Sequence, residues 1–489
     1  MAASAWHVAG LVAWMATWWM TQAVPLSVTA LLPFVFLPLI GGGTAREAAA
    51  DYYSPIIFLL LGGAFLALAI ERTGLHKRLA AGILDRIGGR GGSFGLLLGF
   101  MLAAAVLSNI ISNTSTALIM MPMALAVLAG GDRDGPADAA MPTPSNMQAE
   151  GVVTPLSGSE AVGHPDPPPS SSEAVGPQEG LHGALPMGIA FAATIGGLGT
   201  IIGSPTNAIG VALLRDISGL EITFARWAMF GVPIVLVGVP LAAWIIARVQ
   251  HLGADNFDLA AAREAVRTPG AWSSAERRLV PVIALAFLAW MLRGLVAPYL
   301  PDGALTDGTV AILASLALFV LPDGTGRRLL SWSEAERAPW GVLLMFGGGL
   351  ALAGGMMRTG LADWLGNALL PLAGVPLVVI AIALVAMVIL ITEFASNVAT
   401  ASGIMPIVAA LAVAVGGEGN TDTVLLLAMP VALAASWGFI LPAGTGPNAI
   451  AWSTGRLALP RLIKAGAILD LAGIVLIVGA VFALAPLVV

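Results

Sequence analysis

Hydrophobic residues come in long unbroken runs along the whole chain, with little of the alternation that marks a half-buried strand. Runs of about 18 apolar residues or more are long enough to cross a bilayer as helices, whereas strands of a membrane barrel would alternate. The pattern predicts spans at 6–20, 26–40, 56–70, 227–247, 279–297, 310–321, 340–356 and 468–487. Two further runs, 94–128 and 375–415, carry polar residues at mid-length. The first holds Ser112-Asn113-Thr114-Ser115-Thr116-Ala117-Leu118-Ile119-Met120-Met121-Pro122; the second holds Ser396-Asn397-Val398-Ala399-Thr400-Ala401-Ser402-Gly403-Ile404-Met405-Pro406. Six of these eleven positions are identical, and a hydroxyl residue, Ser108 or Thr392, stands four positions before each serine. Apolar stretches at 185–214 and 429–451 are broken in matching fashion, by Gly203-Ser204-Pro205-Thr206-Asn207-Ala208-Ile209 and by Gly444-Thr445-Gly446-Pro447-Asn448-Ala449-Ile450. Two matches in the same order make an internal repeat.

The polar segments between the runs set the topology. In the segment that carries His76-Lys77-Arg78, Arg86 and Arg90, the apolar Leu79, Ile83, Leu84 and Ile87 share one helical face, the signature of a surface helix. A second surface helix is expected at 362–372. Residues 132–182, rich in Pro, Ser, Gly and acidic residues, have no core to bury and are expected to form a disordered linker. Each motif run could be one long span or a re-entrant hairpin with the motif at its tip. Only the hairpin reading places 132–182, 248–278, 323–338 and 454–464 on one side, with Arg327, Arg328, Arg337, Arg456, Arg461 and Lys464 among them. An excess of Lys and Arg marks the cytoplasmic side. The two halves then enter from opposite faces, an inverted-topology repeat of an all-α polytopic protein, with its site near the midplane.

Composition narrows the chemistry. Only 10% of residues are charged and 58% are hydrophobic, whereas soluble domains carry about 25% charged residues. With no cysteine there is no disulfide, no thiol nucleophile and no cysteine metal site. No cleavable signal peptide is evident, because the N-terminal segment lacks a basic start. An intramembrane hydrolase would need a nucleophile–base pair or a His-Glu-x-x-His motif, and neither is present. The protein is therefore read as a non-enzyme, with no cofactor and no nucleic-acid partner.

Ser, Thr and Gly in membrane helices often serve close packing alone. Duplication of the motif together with a matched Gly/Pro break favours a binding site instead. Hydroxyl, amide and main-chain oxygens in a small cage suit an alkali cation, while amide and hydroxyl hydrogens with half-helix N-termini suit an anion. Neither motif holds Lys or Arg, so a bound dianion would need cations to neutralise it. That combination implies cation-coupled anion transport. Glu393 and Asp470 are read as capping or pairing groups in preference to cation ligands or proton carriers.

Trp18-Trp19-Met20-Thr21-Gln22-Ala23-Val24-Pro25, Leu75-His76-Lys77-Arg78 and Pro339-Trp340-Gly341-Val342-Leu343-Leu344, with the two Ser-Asn motifs, resemble the divalent anion/sodium symporter family of dicarboxylate, citrate and sulfate carriers. The resemblance runs from Trp6 to the C-terminus, the linker excluded. It implies a bacterial inner-membrane homodimer working as an elevator. Its scaffold would comprise 1–92, with a cytoplasmic surface helix, and 249–373, with a periplasmic one. Its transport domain would comprise the hairpins 93–131 and 374–416 and the broken helices with their following spans, 183–248 and 417–489. The resemblance puts one sodium ion at Ser108, Ser112, Asn113 and Gly203, and a second at Thr392, Ala395, Asn397 and Gly444. It puts substrate against Ser112, Asn113, Thr114, Ser204, Pro205, Ser396, Asn397, Val398, Thr445 and Gly446. The implied function is sodium-coupled import of a C4-dicarboxylate such as succinate; sodium-independent exchange, or symport of sulfate or another inorganic dianion, are the alternatives. The chain departs from the family pattern at Gln22, usually Glu, at Val398, usually Thr, and at Gly446, usually Pro. The family pattern also leads one to expect a span ahead of the tryptophan segment; only five residues precede Trp6, so that span is either missing or the start codon was placed late.

This topology predicts that a single cysteine at Ser171→Cys reacts only with reagents reaching the cytoplasm, and one at Val489→Cys only with reagents applied from outside. Equal labelling of both by an impermeant thiol reagent on intact cells would contradict it.

Overall fold

The computed structural model describes residues 2–88, 92–131, 179–253, 270–368, 374–416 and 420–487. These residues contain helices and no strand. α1 (Ala3–Thr21) ends at Gln22, whose φ of 50° turns the chain away. The span expected at 26–40 is two short helices, α2 (Leu26–Thr29) and α3 (Leu32–Leu39). Pro33 lies in the first turn of α3, where its missing N–H costs nothing; inside one continuous helix it would break a hydrogen bond. α4 (Ala45–Asp51) is a further helix that the apolar pattern does not reveal. It is set by a Thr44–Glu47 capping box. α5 (Pro55–Thr73) stops at Gly74 (φ 77°), and α6 (Leu75–Ile83) is an amphipathic helix at the start of the first expected surface segment, of which Arg90 lies outside the described residues.

The motif runs are hairpins. α7 (Gly92–Ser108) and α8 (Asn113–Gly131) are joined by a four-residue turn, and both arms pack on α9 (Leu181–Gly196). A break at residues 197–204 separates α9 from α10 (Pro205–Ser218), and α11 (Phe224–Val249) follows. Of the expected linker, 132–178 lie outside the described residues, and Leu181 and His182 belong to α9. The second half runs α12 (Ser274–Val296), α13 (Asp307–Val320), the short α14 (Trp332–Ala335), α15 (Trp340–Arg358) and α16 (Leu361–Ala368). α16 covers the start of the second expected surface helix, whose end at 369–372 lies outside the described residues. The second hairpin is α17 (Leu377–Phe394) and α18 (Asn397–Gly416), with α19 (Thr421–Ala434) packed on both arms. Residues 435–445 break the chain before α20 (Gly446–Ser453), and α21 (Leu459–Leu484) closes the described fold. Nine helices among the described residues are long and apolar enough to cross a membrane.

Burial explains the architecture. α9 is apolar all round and buried from Gly183 to Gly196, so it forms the axis on which the first hairpin packs. α12 instead keeps Leu285, Leu288 and Leu295 outward, a face suited to lipid. Small residues allow the closest approaches: a Cβ on Gly62 would lie 2.6 Å from that of Ala311, which brings α5 and α13 together.

Charges collect at the helix ends. Arg72 contacts Asp323 at 2.7 Å and Glu334 at 3.0 Å, and Arg327 reaches the same Glu334 at 3.0 Å. Main-chain and hydroxyl hydrogen bonds from Thr325, with Arg72 beside it, hold the Asp323 carboxyl well below the usual carboxylate range. At the opposite end of α12, Arg293 contacts Glu221 at 2.5 Å and Asp307 at 3.4 Å, while Asp307 also accepts the Phe224 N–H at 2.9 Å.

Asp307 is buried beside this guanidinium. Arg293→Met should therefore destabilise the protein by about 3 kcal/mol, the scale for stranding a buried charge. The double variant with Asp307→Asn should recover much of that loss. Melting temperatures in detergent test this; equal values for the single and double variants would contradict it.

Candidate functional site

Four helices stop and four begin around one cavity. α7, α9, α17 and α19 end at the two tips and the two breaks; α8, α10, α18 and α20 start there. Each stop leaves main-chain carbonyls without helical partners, and each start leaves N–H groups. The cavity has a volume of about 620 Å³, and the first residues of all four starting helices line it. Partial positive charge from four N-termini thus converges on one space, a setting that attracts anions.

The first cage forms where α7 stops. The Ser108 hydroxyl is buried, 2.6 Å from the Ala193 carbonyl and 2.8 Å from Asn113 Oδ1. The Asn113 position facing it also lies 3.2 Å from the Ala193 carbonyl and 3.1 Å from the Gly203 carbonyl. With the amide NH₂ turned inward, those three oxygens accept hydrogen bonds. With the amide oxygen inward, four neutral oxygens converge within hydrogen-bond distance, the donor set of a monovalent cation. In that second orientation a single hydroxyl hydrogen cannot serve both of its neighbours, so Ser108 leaves one oxygen facing another. The backbone comes this close because Gly197 has no side chain: a Cβ there would lie 2.1 Å from Asn113 Oδ1. Asn207 holds the loop in place, its NH₂ donating to the carbonyls of Gly197 and Thr200, each at 2.7 Å.

The second repeat builds the same arrangement. The Thr392 hydroxyl lies 2.8 Å from Asn397 Oδ1 and 2.8 Å from the Ala435 carbonyl. Asn448 donates to the Leu441 carbonyl at 3.1 Å, as Asn207 does in its own loop. Glu393 accepts the main-chain N–H groups of Ile440 at 2.9 Å and Leu441 at 2.8 Å, so its carboxylate caps the broken segment. Asp470, buried on α21, lies beside Glu393 and Phe439. Ala395 sits in the turn between α17 and α18, and Gly444 lies against Glu393.

All ten residues assigned to the substrate line the cavity. Several of them also hold the walls together. Ser112 bonds Ser115 at 2.9 Å across the start of α8, and Thr445 caps α20 by accepting the Asn448 N–H at 3.2 Å. The Ser204 hydroxyl bonds Thr206 at 2.7 Å and lies 3.3 Å from Ser436, with Thr206 bonded to Ser436 in turn. That chain ties the first break to the second. Gly446 meets the first tip, since a Cβ there would lie 2.5 Å from Thr114 Oγ1. The sequence reading missed the carbonyls of Ala193 and Ala435, which no side-chain motif can announce. It also missed the bracing by Asn207 and Asn448, although their matched places in the repeat were a usable signal. Among the described residues no group of three or more His, Cys, Asp or Glu could hold a metal ion.

The chain has curated relatives over nearly its whole length. A sodium-dependent dicarboxylate transporter, SdcS, of Staphylococcus saprophyticus is 36% identical over 98% of this chain and 86% of its own. The transporter of the same name from Staphylococcus aureus strain USA300 is 35% identical over 99% of this chain and 86% of its own. Among solved structures, the YdaH transporter of Alcanivorax borkumensis shares the fold, with a TM-score of 0.55 at 15% identity over 93% of this chain and 88% of that one. The family described as the sodium:sulfate symporter transmembrane region matches residues 1–488, and the chain, a multi-pass membrane transporter, belongs to it.

Proposed function

We propose that the protein is a sodium-coupled symporter that imports a dianionic C4-dicarboxylate such as succinate across a bacterial cytoplasmic membrane. One observation carries the reading: neutral oxygen clusters lie where helices stop, and N–H groups lie where helices start, around one cavity whose tips hold no Lys or Arg. Cations in the two clusters would supply the charge that a dianion needs and the tips lack. Ser108, Asn113 and the carbonyls of Ala193 and Gly203 would hold one sodium ion, and Thr392, Asn397 and the Ala435 carbonyl the other. Ser112, Ala395 and Gly444 remain candidate ligands through main-chain or side-chain oxygens. The carboxylates would lie against the N-terminal turns of α8, α10, α18 and α20. Val398 presents methyl groups where a hydroxyl would suit a compact inorganic oxyanion, which favours a carbon chain over sulfate. The names of the staphylococcal relatives, sodium-dependent dicarboxylate transporters, support the same cargo.

The elevator reading rests on the hydroxyl chain through Ser204, Thr206 and Ser436 and on the contact of Gly446 with Thr114. These contacts join the first tip to both breaks, and the Thr392 bond to the Ala435 carbonyl adds the second tip to the same body. The hairpins and broken helices of 93–131, 183–248, 374–416 and 417–489 would move together against a scaffold of 1–92 and 249–373. A homodimer of such scaffolds would hold the membrane position fixed.

Ser108→Ala and Thr392→Ala should raise the sodium concentration for half-maximal uptake at least about threefold, the scale of one lost oxygen ligand, and leave dicarboxylate affinity at saturating sodium nearly unchanged. Linkage requires that any effect of sodium on anion affinity appear reciprocally. Equilibrium binding of each ligand across a titration of the other checks both statements. Anion binding independent of sodium in the wild type would replace symport with exchange. Gly446→Ala should cut uptake by about tenfold or more, because its Cβ has no room beside Thr114. Gly403→Ala, with nothing within 4 Å of its Cβ, should be silent in the same proteoliposome assay.

A further inference from the structure

Only two charged side chains line the cavity among the described residues, Arg337 and Glu71. Neither belongs to a hairpin or a break. Glu71 is in the last turn of α5, and Arg337 lies between α14 and α15, so both sit on the wall that faces the tips. The other arginines around this wall are engaged. Arg72 is held by Asp323 and Glu334, Arg327 by Glu334 at 3.0 Å, and Arg278 donates to the Pro322 carbonyl at 2.7 Å. Arg337 is exposed, and its side chain makes no ion pair or hydrogen bond among the described residues. Glu71 is exposed as well, and the two do not pair with each other.

We infer that Arg337 is an anion-guiding residue, which raises the affinity of the cavity for dianions from the wall opposite the tips, and that Glu71 opposes it. The inference rests on the dicarboxylate reading above and adds a residue to it. The physical basis is long range. The tips have no fixed positive charge, so among the described residues that line the cavity this arginine is the only side chain that attracts a dianion over several ångströms of water. Two unit charges on the ligand double the attraction relative to a monoanion. A guanidinium can also form paired hydrogen bonds with a carboxylate that comes close, while Lys offers a point charge only. Because Arg337 lies on the opposite wall from the tips, its field acts on the ligand only while the tips face this cavity.

The test is equilibrium binding of radiolabelled succinate to the purified full-length protein at saturating sodium and pH 7.5. Ionic strength is set with choline chloride at about 0.1 M and about 1 M, where the screening length falls from about 10 Å to about 3 Å. Arg337→Gln should raise the succinate Kd about three- to tenfold at the lower ionic strength and less than about twofold at the higher. Arg337→Lys should stay close to wild type, and Glu71→Gln should lower the Kd at the lower ionic strength. Monomethyl succinate should show a smaller effect of Arg337→Gln than succinate does. Sodium activation at saturating succinate should not change, and melting temperatures should match wild type, since the side chain has no partner to lose. The inference is overturned if Arg337→Gln binds succinate like wild type at 0.1 M, if its defect is the same at both ionic strengths, or if Glu71→Gln shifts the Kd in the same direction. Wild-type protein that binds no succinate at all would instead remove the dicarboxylate reading.

Discussion

A helix that stops inside a bilayer strands main-chain hydrogen-bonding groups where no water can take them, at a cost of several kcal/mol each. This chain interrupts its helices four times around one cavity, and the rest of the structure follows from how those groups are held. The arms of each hairpin and the broken helix beside it wrap the interruptions in protein. Asn207, Asn448 and Glu393 reach back from neighbouring turns to bind freed main-chain groups. The groups left over point in two directions, carbonyls at the stops and N–H groups at the starts. One set of backbone breaks therefore makes cation chemistry and anion chemistry available a few ångströms apart.

The glycines and small residues belong to the same constraint. Gly197 lets the loop reach Asn113, and Gly446 lets the second break reach the first tip. A side chain at either position would push apart the surfaces that satisfy the stranded groups. The interrupted segments thus pack closely at these glycines, although they are irregular in backbone.

Much of this was legible in the sequence because it is written twice. The hairpins, the breaks and Ser108 with Asn113 or Thr392 with Asn397 all follow from matched motifs at matched order. What was not legible has physical causes. The carbonyls of Ala193 and Ala435 are main-chain oxygens that any residue could supply, so no residue type marks them. The run 26–40 reads as one span by hydrophobicity, yet Pro33 divides it into α2 and α3. α12 starts at Ser274, ahead of the apolar run, because Ser273 and Glu276 form a capping box that draws polar residues into the helix. α4 escaped notice for the same reason: its signal is the pair Thr44 and Glu47, and hydrophobicity carries no trace of it.

The amide of Asn113 has a consequence for the order of events. An amide is planar, and its oxygen and nitrogen point in opposed directions, so the group cannot present the same atom on both sides. When its oxygen completes the cluster with Ser108, Ala193 and Gly203, its NH₂ is turned out of that cluster; when its NH₂ satisfies those three oxygens, it is withdrawn from the cavity. In the sodium-coupled reading a bound cation fixes the first orientation. The anion then meets the Asn113 NH₂ as a donor only after the cation has arrived. One half-turn of a single side-chain bond would thereby favour loading of the cation before the anion, and unloading in reverse, with no movement of the backbone.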